Sequence, residues 1–190
     1  KVGNTKNGIQ KGNCKVPNGY MEKSLVLIPQ RFVVEMSQRG WIVRNQIIWN
    51  KPNAMPQPVS DRFVNDYEVI FLFSKAKIYN FNLLKENITG NQRIKRTTWT
   101  INTKPNKKLS HIAPFPCELV EPCILGGSKE NDTILDPFIG SGTTAIACMN
   151  TNRNYIGFEI SKEYCDIAEK RIKNHFVQER INEKIQQMEE

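Results

Sequence analysis

A glycine-rich turn between a predicted strand and a predicted helix constrains the fold of this 190-residue chain more than any other feature. Residues 133–150 read TILDPFIGSGTTAIACMN, in which a short apolar run meets Gly140, Ser141 and Gly142 before a helix-like segment. A second strand, NYIGFEI, and a long amphipathic helix from Ser161 follow. Strand, glycine turn, helix and strand in this order are typical of nucleotide-binding α/β proteins.

The rest of the chain also alternates strands with helices. WIVRNQIIW and YEVIFLFSK predict strands, and a proline-rich loop over residues 50–66 separates them. A helix is predicted before these strands by SLVLIPQRFVVEMSQRG. A polar, basic stretch at 82–110 follows the strands, and after it PCELVEPCILGG predicts a second helix. We therefore predict an α/β fold with a mostly parallel sheet flanked by helices, in which residues 1–23 form a loop or arm and residues 24–190 form one domain.

The glycine loop leaves several ligands open. Its pattern fits the dinucleotide fingerprint, and Glu159 ends the next strand about 20 residues on, where an acid accepts hydrogen bonds from a ribose. A turn that binds nothing remains an alternative, and Asp136 could simply cap the loop. Among ligands, a pyrophosphate would be repelled by Asp136, whereas S-adenosylmethionine (SAM) has no phosphate and carries two cationic groups. A dehydrogenase would also need a further half-domain after Glu159 to bind the nicotinamide, whereas only one predicted helix follows Glu159 here. The charge of Asp136 and this short remainder both favour SAM over NAD.

The charge of the chain favours a polyanionic partner. Its 27 Lys and Arg residues against 19 Asp and Glu residues give a net charge of +8. No apolar run reaches the roughly 18 residues that would span a membrane, and no secretory signal is visible, so we expect no membrane partner and a cytoplasmic, prokaryotic or phage-like setting. The five cysteines lack zinc spacing, which favours reduced thiols and no metal site.

With these segments in place, the chain resembles the SAM-dependent DNA amino-methyltransferases that modify N4 of cytosine or N6 of adenine. DPFIGSGTT is similar to their SAM loop, NYIGFEISKEYCDIAEKRI to their ribose-binding strand and helix, and HIAPFPCELVEPCI to the segment over the methionine part of SAM. The likeness is to the permuted subgroup, whose catalytic motif precedes the SAM loop. It implies a Rossmann-like methyltransferase fold, with DNA-facing strands and loops at 24–110, a SAM-binding part at 111–175 and a C-terminal helix to 190.

The resemblance also implies which residues contact the cofactor, SAM. One group would cradle SAM and hold its ribose: Asp136, Phe138, Gly140, Ser141, Gly142, Thr143 and Glu159. A second group would lie along the other side of SAM or near it: His111, Ala113, Phe115, Pro116, Thr97, Thr98 and Trp99. Ordinary core packing remains an alternative for Trp99, and a satisfied, partly buried histidine remains one for His111.

The same resemblance implies double-stranded DNA as the substrate, with the methyl group going to an exocyclic amine of a flipped base, in a restriction-modification system. Basic residues would then contact phosphates, and DNA affinity would fall steeply with salt. The predicted DNA-binding residues are Lys51, Arg62, Arg93, Lys95 and Arg96.

One departure from the family concerns catalysis. The family's catalytic motif is a tetrapeptide of Ser, Asp or Asn, two prolines and an aromatic residue, and none of the ten prolines here stands next to another. We therefore expect the motif upstream of Lys1 or on another subunit. The expected protein partners are this missing N-terminal portion or subunit, or a second copy of the chain in a homodimer. The alternative function is a non-catalytic subunit or fragment that binds SAM or DNA.

Overall fold

The computed structural model describes residues 19–88, 90–103 and 115–189. Contacts divide the chain into two compact units, Lys1–Gly40 and Trp41–Glu190. The first unit contains helix α1, Ile28–Gln38, which begins inside the segment predicted as helical because Pro29 suits the first turn of a helix. The boundary after residue 23 that the sequence suggests remains a prediction.

The second unit begins with a three-stranded sheet. Its first two strands are β1, Ile42–Asn50, and β2, Tyr67–Ser74, which pair antiparallel. The proline-rich loop between them contains no helix or strand, as predicted. A short strand, β5 (Thr98–Thr100), pairs parallel with β1 and gives the order β2-β1-β5.

A hairpin follows β2 in the stretch that the sequence marks only as polar and basic. Its strands are β3, Lys85–Ile88, and β4, Asn91–Ile94, which pair antiparallel as a separate two-stranded sheet. Both strands have four residues and no alternation of apolar and polar side chains, so the sequence pattern for a strand is missing.

The C-terminal half contains the predicted glycine-loop unit. Its elements are α2 (Cys117–Gly127), β6 (Thr133–Asp136), α3 (Thr143–Asn150), β7 (Asn154–Gly157) and α4 (Lys162–Glu189). Strands β6 and β7 pair parallel, with α3 as the connection between them. The prediction of an α/β fold is confirmed, and every helix and strand predicted around the glycine loop is present. The described strands are less uniformly parallel than predicted: β1–β5 and β6–β7 pair parallel, whereas β1–β2 and β3–β4 pair antiparallel, because no crossover helix separates the strands of these two pairs.

Helix α2 packs against two apolar clusters of the second unit. Leu119 packs with Trp49 and Trp99, which are register partners on β1 and β5. Ile124, five residues further along and therefore on another side of the helix, packs with Cys148 of α3 in the second cluster. The helix thus connects the sheet β2-β1-β5 with the glycine-loop unit.

Within the described residues, no helix combines the length and the apolar composition that crossing a membrane requires.

Candidate functional site

The candidate site is the loop at the carboxyl ends of β6 and β7. Since the two strands are parallel and Asp136 pairs with Gly157, the segments that leave both strands emerge at the same edge of the sheet. Open α/β sheets bind ligands at this edge. The two acids predicted to face the cofactor, Asp136 and Glu159, are therefore brought to one place.

Backbone geometry in the loop explains its glycines. Gly140 and Gly142 have φ values of 53° and 84°, in the left-handed region that glycine adopts without a steric cost. Gly142 also lies under α4, where an added Cβ would come within 3.2 Å of Cβ of Ala168. Helix α3 begins directly after Gly142, so the turn directs the first backbone N–H groups of the helix towards the edge of the sheet.

Asp136 is a cap of the loop in this structure. Its Oδ1 accepts a hydrogen bond from the backbone N–H of Phe138 at 2.9 Å, and its Oδ2 accepts one from Oγ1 of Thr144 at 2.6 Å. A carboxylate has about four acceptor positions, so these two bonds leave acceptor capacity for a cationic ligand. The capping role and the predicted ligand-binding role are compatible.

The segment after β7 is attached to the glycine loop through the backbone. Phe158 donates its N–H to the carbonyl of Asp136 and accepts a hydrogen bond from the N–H of Ile139, both at 3.0 Å. A Cβ on Gly157 would lie 2.3 Å from Cδ1 of Ile139, so only glycine fits there. This close approach fixes the distance between the glycine loop and the segment that carries Glu159.

Glu159 is half-buried, directly after this contact. Its Oε1 accepts a hydrogen bond from the backbone N–H of Ser161 at 2.8 Å, which holds the carboxylate at the start of α4. A carboxylate fixed in this way can accept hydrogen bonds from a diol with its remaining lone pairs.

Helix α4 supports the loop from behind through Arg171. The guanidinium Nη1 donates to the carbonyl oxygen of Ser141 and lies 2.6 Å from its Oγ. Ser141 is only 4% exposed and Thr143 is also 4% exposed, so both side chains support the loop from within. Sequence reasoning missed Arg171, because it is one of many charged residues in a helix predicted only as amphipathic.

Three exposed apolar side chains lie close to the two acids along the chain. Phe138 is 85% exposed, Phe158 is 60% exposed and Ile160 is fully exposed. Sequence reasoning named Phe138 but missed Phe158 and Ile160. The sequence pattern that could have indicated these two residues is an apolar residue on each side of Glu159, just after the end of β7. Apolar groups around a few fixed polar groups are typical of small-molecule sites.

The described members of the second group of predicted cofactor residues lie at β5 and at the start of α2. Trp99 is 7% exposed and its indole N–H donates to the carbonyl of Arg96 at 2.6 Å, which agrees with the core-packing alternative. Thr97 and Thr98 are exposed beside it. Phe115 is half-exposed and Pro116 is buried at the start of α2, whereas His111 and Ala113 lie outside the described residues.

Helix α2 lies between this second group and the start of α3, which follows the glycine loop. Trp99 contacts Leu119 in the first turn of α2, and Sγ of Cys117 lies 3.9 Å from the carbonyl oxygen of Thr143. Residues 97–99 and the loop are therefore on opposite sides of the same helical turn.

The five predicted DNA-binding cations differ in their surroundings. Lys51 is paired with Glu68 and lies 4.3 Å from the ring centroid of Trp49. Lys95 lies 3.9 Å from Glu86 and 4.9 Å from the ring of Trp99. These two ammonium groups are thus already engaged in the protein.

The three arginines of that set are more accessible. Arg93 lies 3.2 Å from Glu86, and Arg62 donates to Gln57 at 3.1 Å. Arg96 is exposed, and its guanidinium makes no hydrogen bond or ion pair with other described residues. Arg93, Lys95 and Arg96 line an open groove of about 530 Å³ together with Glu86, Thr97 and the residues of β5.

Burial controls the chemistry of one thiol near the loop. Cys148 of α3 is completely buried, and this burial raises its pKa from 9.0 to about 11, so the thiol stays protonated at neutral pH. The described residues contain no group of three or more His, Cys, Asp or Glu side chains that could hold a metal ion.

Comparisons with known proteins relate this geometry to a family. The type II methyltransferase M.Cfr9I of Citrobacter freundii is 42% identical over 159 residues, which cover 82% of this chain and 53% of that protein. The chain spans about half the length of the curated relatives it matches, with 53% for M.XycI and 55% for M.SmaI.

Solved structures agree with the fold. The crystal structure of the M1.HpyAVI–SAM complex is 33% identical, with a TM-score of 0.58 over 74% of this chain and 69% of that chain. The structure of the cytosine-N4-specific PvuII DNA methyltransferase has a TM-score of 0.67 over 84% of this chain and 66% of that chain, and its 20% identity supports the fold alone. The model of the N6/N4 DNA methylase family matches residues 7–170. This chain therefore belongs to the N6/N4 DNA methylase family.

Proposed function

We propose that the protein transfers a methyl group from SAM to an exocyclic amine of a DNA base, either N4 of cytosine or N6 of adenine, as part of a restriction-modification system. Membership of the DNA methylase family supports this proposal. Similarity to the type II methyltransferase M.Cfr9I and to M1.HpyAVI, which was crystallised as a complex with SAM, supports it as well.

The observation that carries the proposal is the pair of carboxylates at one edge of the β6–β7 sheet. Asp136 caps the glycine loop and Glu159 follows the adjacent strand. A pyrophosphate bound to the loop would lie beside the negative charge of Asp136, which would cost binding energy. SAM carries an ammonium and a sulfonium group, so the same charge would attract it, while Glu159 would accept hydrogen bonds from its ribose.

The described residues also offer apolar and hydrogen-bonding groups to such a ligand. The exposed rings of Phe138 and Phe158 and the side chain of Ile160 offer apolar contacts to an adenine base. The backbone N–H groups after Gly142 offer donors to a carboxylate. We assign SAM binding to the predicted residues of this loop, with Phe158 and Ile160 added.

When bound, SAM supplies an activated methyl group on a sulfonium. The residues of this chain would then mainly position the reactants, which lowers the entropic part of the barrier. The buried loop residues Ser141 and Thr143 and the guanidinium of Arg171 would keep the loop rigid for this purpose.

For the DNA substrate, we propose that the groove beside β5 contacts phosphates. Arg96 is the best placed of the predicted cations, since its guanidinium makes no ion pair with the described residues. Lys51 and Lys95 would contribute charge to the surface while keeping their partners Glu68 and Glu86.

The catalytic tetrapeptide must come from elsewhere. No two prolines are adjacent in residues 1–190, so we propose that a segment outside them, or a second subunit, supplies the motif. The alternative function, a non-catalytic subunit that binds SAM or DNA, is not favoured, since the relatives M.Cfr9I and M.XycI are named as methyltransferases. Methylation by the complete protein without any added partner would exclude this alternative.

The experiment is mass spectrometry of DNA bases from methylation-deficient cells that express the complete protein. We expect N4-methylcytosine or N6-methyladenine in the expressing cells and not in the control cells. A variant with Gly142→Val, which would place a side chain against Ala168, should lose the modified base. Unmodified DNA from cells with soluble, folded wild-type protein would contradict the catalytic proposal.

A further inference from the structure

The β3–β4 hairpin has exposed polar side chains that the proposed cofactor site does not use. All four residues of β4, Asn91–Ile94, are exposed, and Asn87 of β3 is exposed as well. Three of these residues, Asn87, Asn91 and Gln92, carry neutral amides, and we call them the hairpin tip. Their side chains make no hydrogen bond to the other described residues, so both donors and acceptors face solvent.

The base of the hairpin is paired across its own strands, and Asn82, just before β3, donates its backbone N–H to the carbonyl of Gly126 in α2 at 2.8 Å. Glu86 lies 3.2 Å from Arg93 across the two strands and 3.9 Å from Lys95. The backbone N–H of Lys95 donates to the carbonyl of Leu84 at 2.9 Å, which extends the pairing beyond the strands. On the other face, Ile94 lines an apolar cavity of about 180 Å³ between the hairpin, the sheet and α2. The tip is therefore carried by a base that is paired across its strands and lies beside the sheet and α2.

The register of the hairpin separates the tip amides by face. Asn87 is paired with Gln92, so their side chains lie together on the face that also carries Ile94. Asn91 lies on the opposite face, which also carries the Glu86–Arg93 pair. Two amides on one face and one on the other can contact base edges on both sides of a ribbon inserted into a groove.

The phosphate-binding groove proposed above begins at the base of this ribbon. Glu86, Arg93, Lys95 and Arg96 line it on the hairpin side. A DNA strand held there by its phosphates would bring the adjacent bases towards the tip. The major groove, about 12 Å wide, admits a two-stranded β-ribbon, and Asn and Gln side chains read base edges there by bidentate hydrogen bonds.

We infer that the β3–β4 hairpin is a sequence-reading element of the protein, with Asn87, Asn91 and Gln92 contacting base edges in the major groove of the target DNA. This inference rests on the proposed DNA methyltransferase function and adds the residues that select the site. The cations at the base contact phosphates and set affinity, whereas the tip amides set sequence preference.

The test compares the complete wild-type protein with the Asn87→Ala/Gln92→Ala double variant and with Asn91→Ala. Each is expressed in a methylation-free host, and the methylated positions are mapped by sequencing genomic DNA. The loss of a base-reading contact should relax the methylated motif at one or two positions, with about a tenfold or greater loss of discrimination between the best site and a single-base variant. Gln187→Ala, an exposed amide on α4, is the matched control.

The outcomes separate this inference from the function on which it rests. A relaxed or altered motif in the tip variants, with an unchanged motif in the control and unchanged SAM binding in all, supports base reading by the tip. An unchanged motif with unchanged discrimination in both tip variants overturns the inference but leaves the proposed function standing. The absence of methylation with wild-type protein overturns the proposed function and the inference together.

Discussion

At the scale of single residues, the site depends on positions where only one side chain fits. Gly157 is the sharpest example, since the side chain of Ile139 occupies the space into which a Cβ would project. The contact explains why the strand after the glycine loop ends in glycine. Because Glu159 lies two residues after Gly157, the contact also couples the position of Glu159 to the glycine loop.

We predict that Gly157→Ala destabilises the protein and displaces Glu159. Its Cβ would lie 2.3 Å from Cδ1 of Ile139, and overpacking of this kind costs about 1–3 kcal/mol. The free energy of unfolding measured in urea should fall by that amount. Gly127→Ala is the control, because nothing lies within 4 Å of its added Cβ. Equal stability of the two variants would contradict the close approach.

Sequence reasoning found the residues of the loop because they follow a local pattern. The turn glycines, Asp136 and Glu159 are specified by their distance along the chain, and the structure places them at one edge of the sheet. Arg171, Phe158 and Ile160 were not found, because their importance depends on which way a side chain points. A charged residue in a helix rich in charges carries no signal of facing inwards until the packing of that helix is known.

At the scale of elements, α4 holds the glycine loop in place. Its residues Ala168 and Ile172 pack against Gly142, and Arg171 from the same side reaches the carbonyl and hydroxyl oxygens of Ser141. A charged donor on a buried carbonyl is worth about 1.5–3 kcal/mol. The long helix thus acts on the site through one short stretch of its length.

We predict that Arg171→Met weakens SAM binding by about tenfold or more, since the loop loses a charge-assisted hydrogen bond. Arg171→Lys keeps the charge and should restore part of the affinity. Isothermal titration with SAM measures both, and the KM for SAM should rise more than kcat falls. Arg180→Met, exposed on the same helix, is the control. Wild-type affinity in Arg171→Met would show that the loop does not need this support.

Secondary-structure elements differ in how well their own sequence predicts them. Helix α3, Thr143–Asn150, coincides with the predicted segment because a glycine turn and a strand on either side delimit it. The β3–β4 hairpin was not predicted, because its strands are short and polar. Its packing depends on the Glu86–Arg93 pair and on residues of the sheet and α2 that are distant in the sequence. Tertiary contacts override weak local propensity in such segments.

At the scale of the whole molecule, the net charge of +8 comes from cations that differ in their surroundings. Some cations, such as Lys51 and Lys95, are engaged with acids and tryptophan rings, while Arg96 is available. The overall charge therefore predicts a polyanionic partner better than it predicts the residues that contact it. The composition could not distinguish these roles, since they depend on the neighbours that the fold supplies.

The central claim is that the loop after β6 binds a cationic, phosphate-free cofactor. Isothermal titration calorimetry of the protein with SAM and, separately, with NAD tests it most directly. We expect saturable binding of SAM, weakened about tenfold or more in Glu159→Gln because a charged acceptor for the ribose is lost, and no binding of NAD at the same concentrations. Tight binding of NAD without binding of SAM would contradict the account.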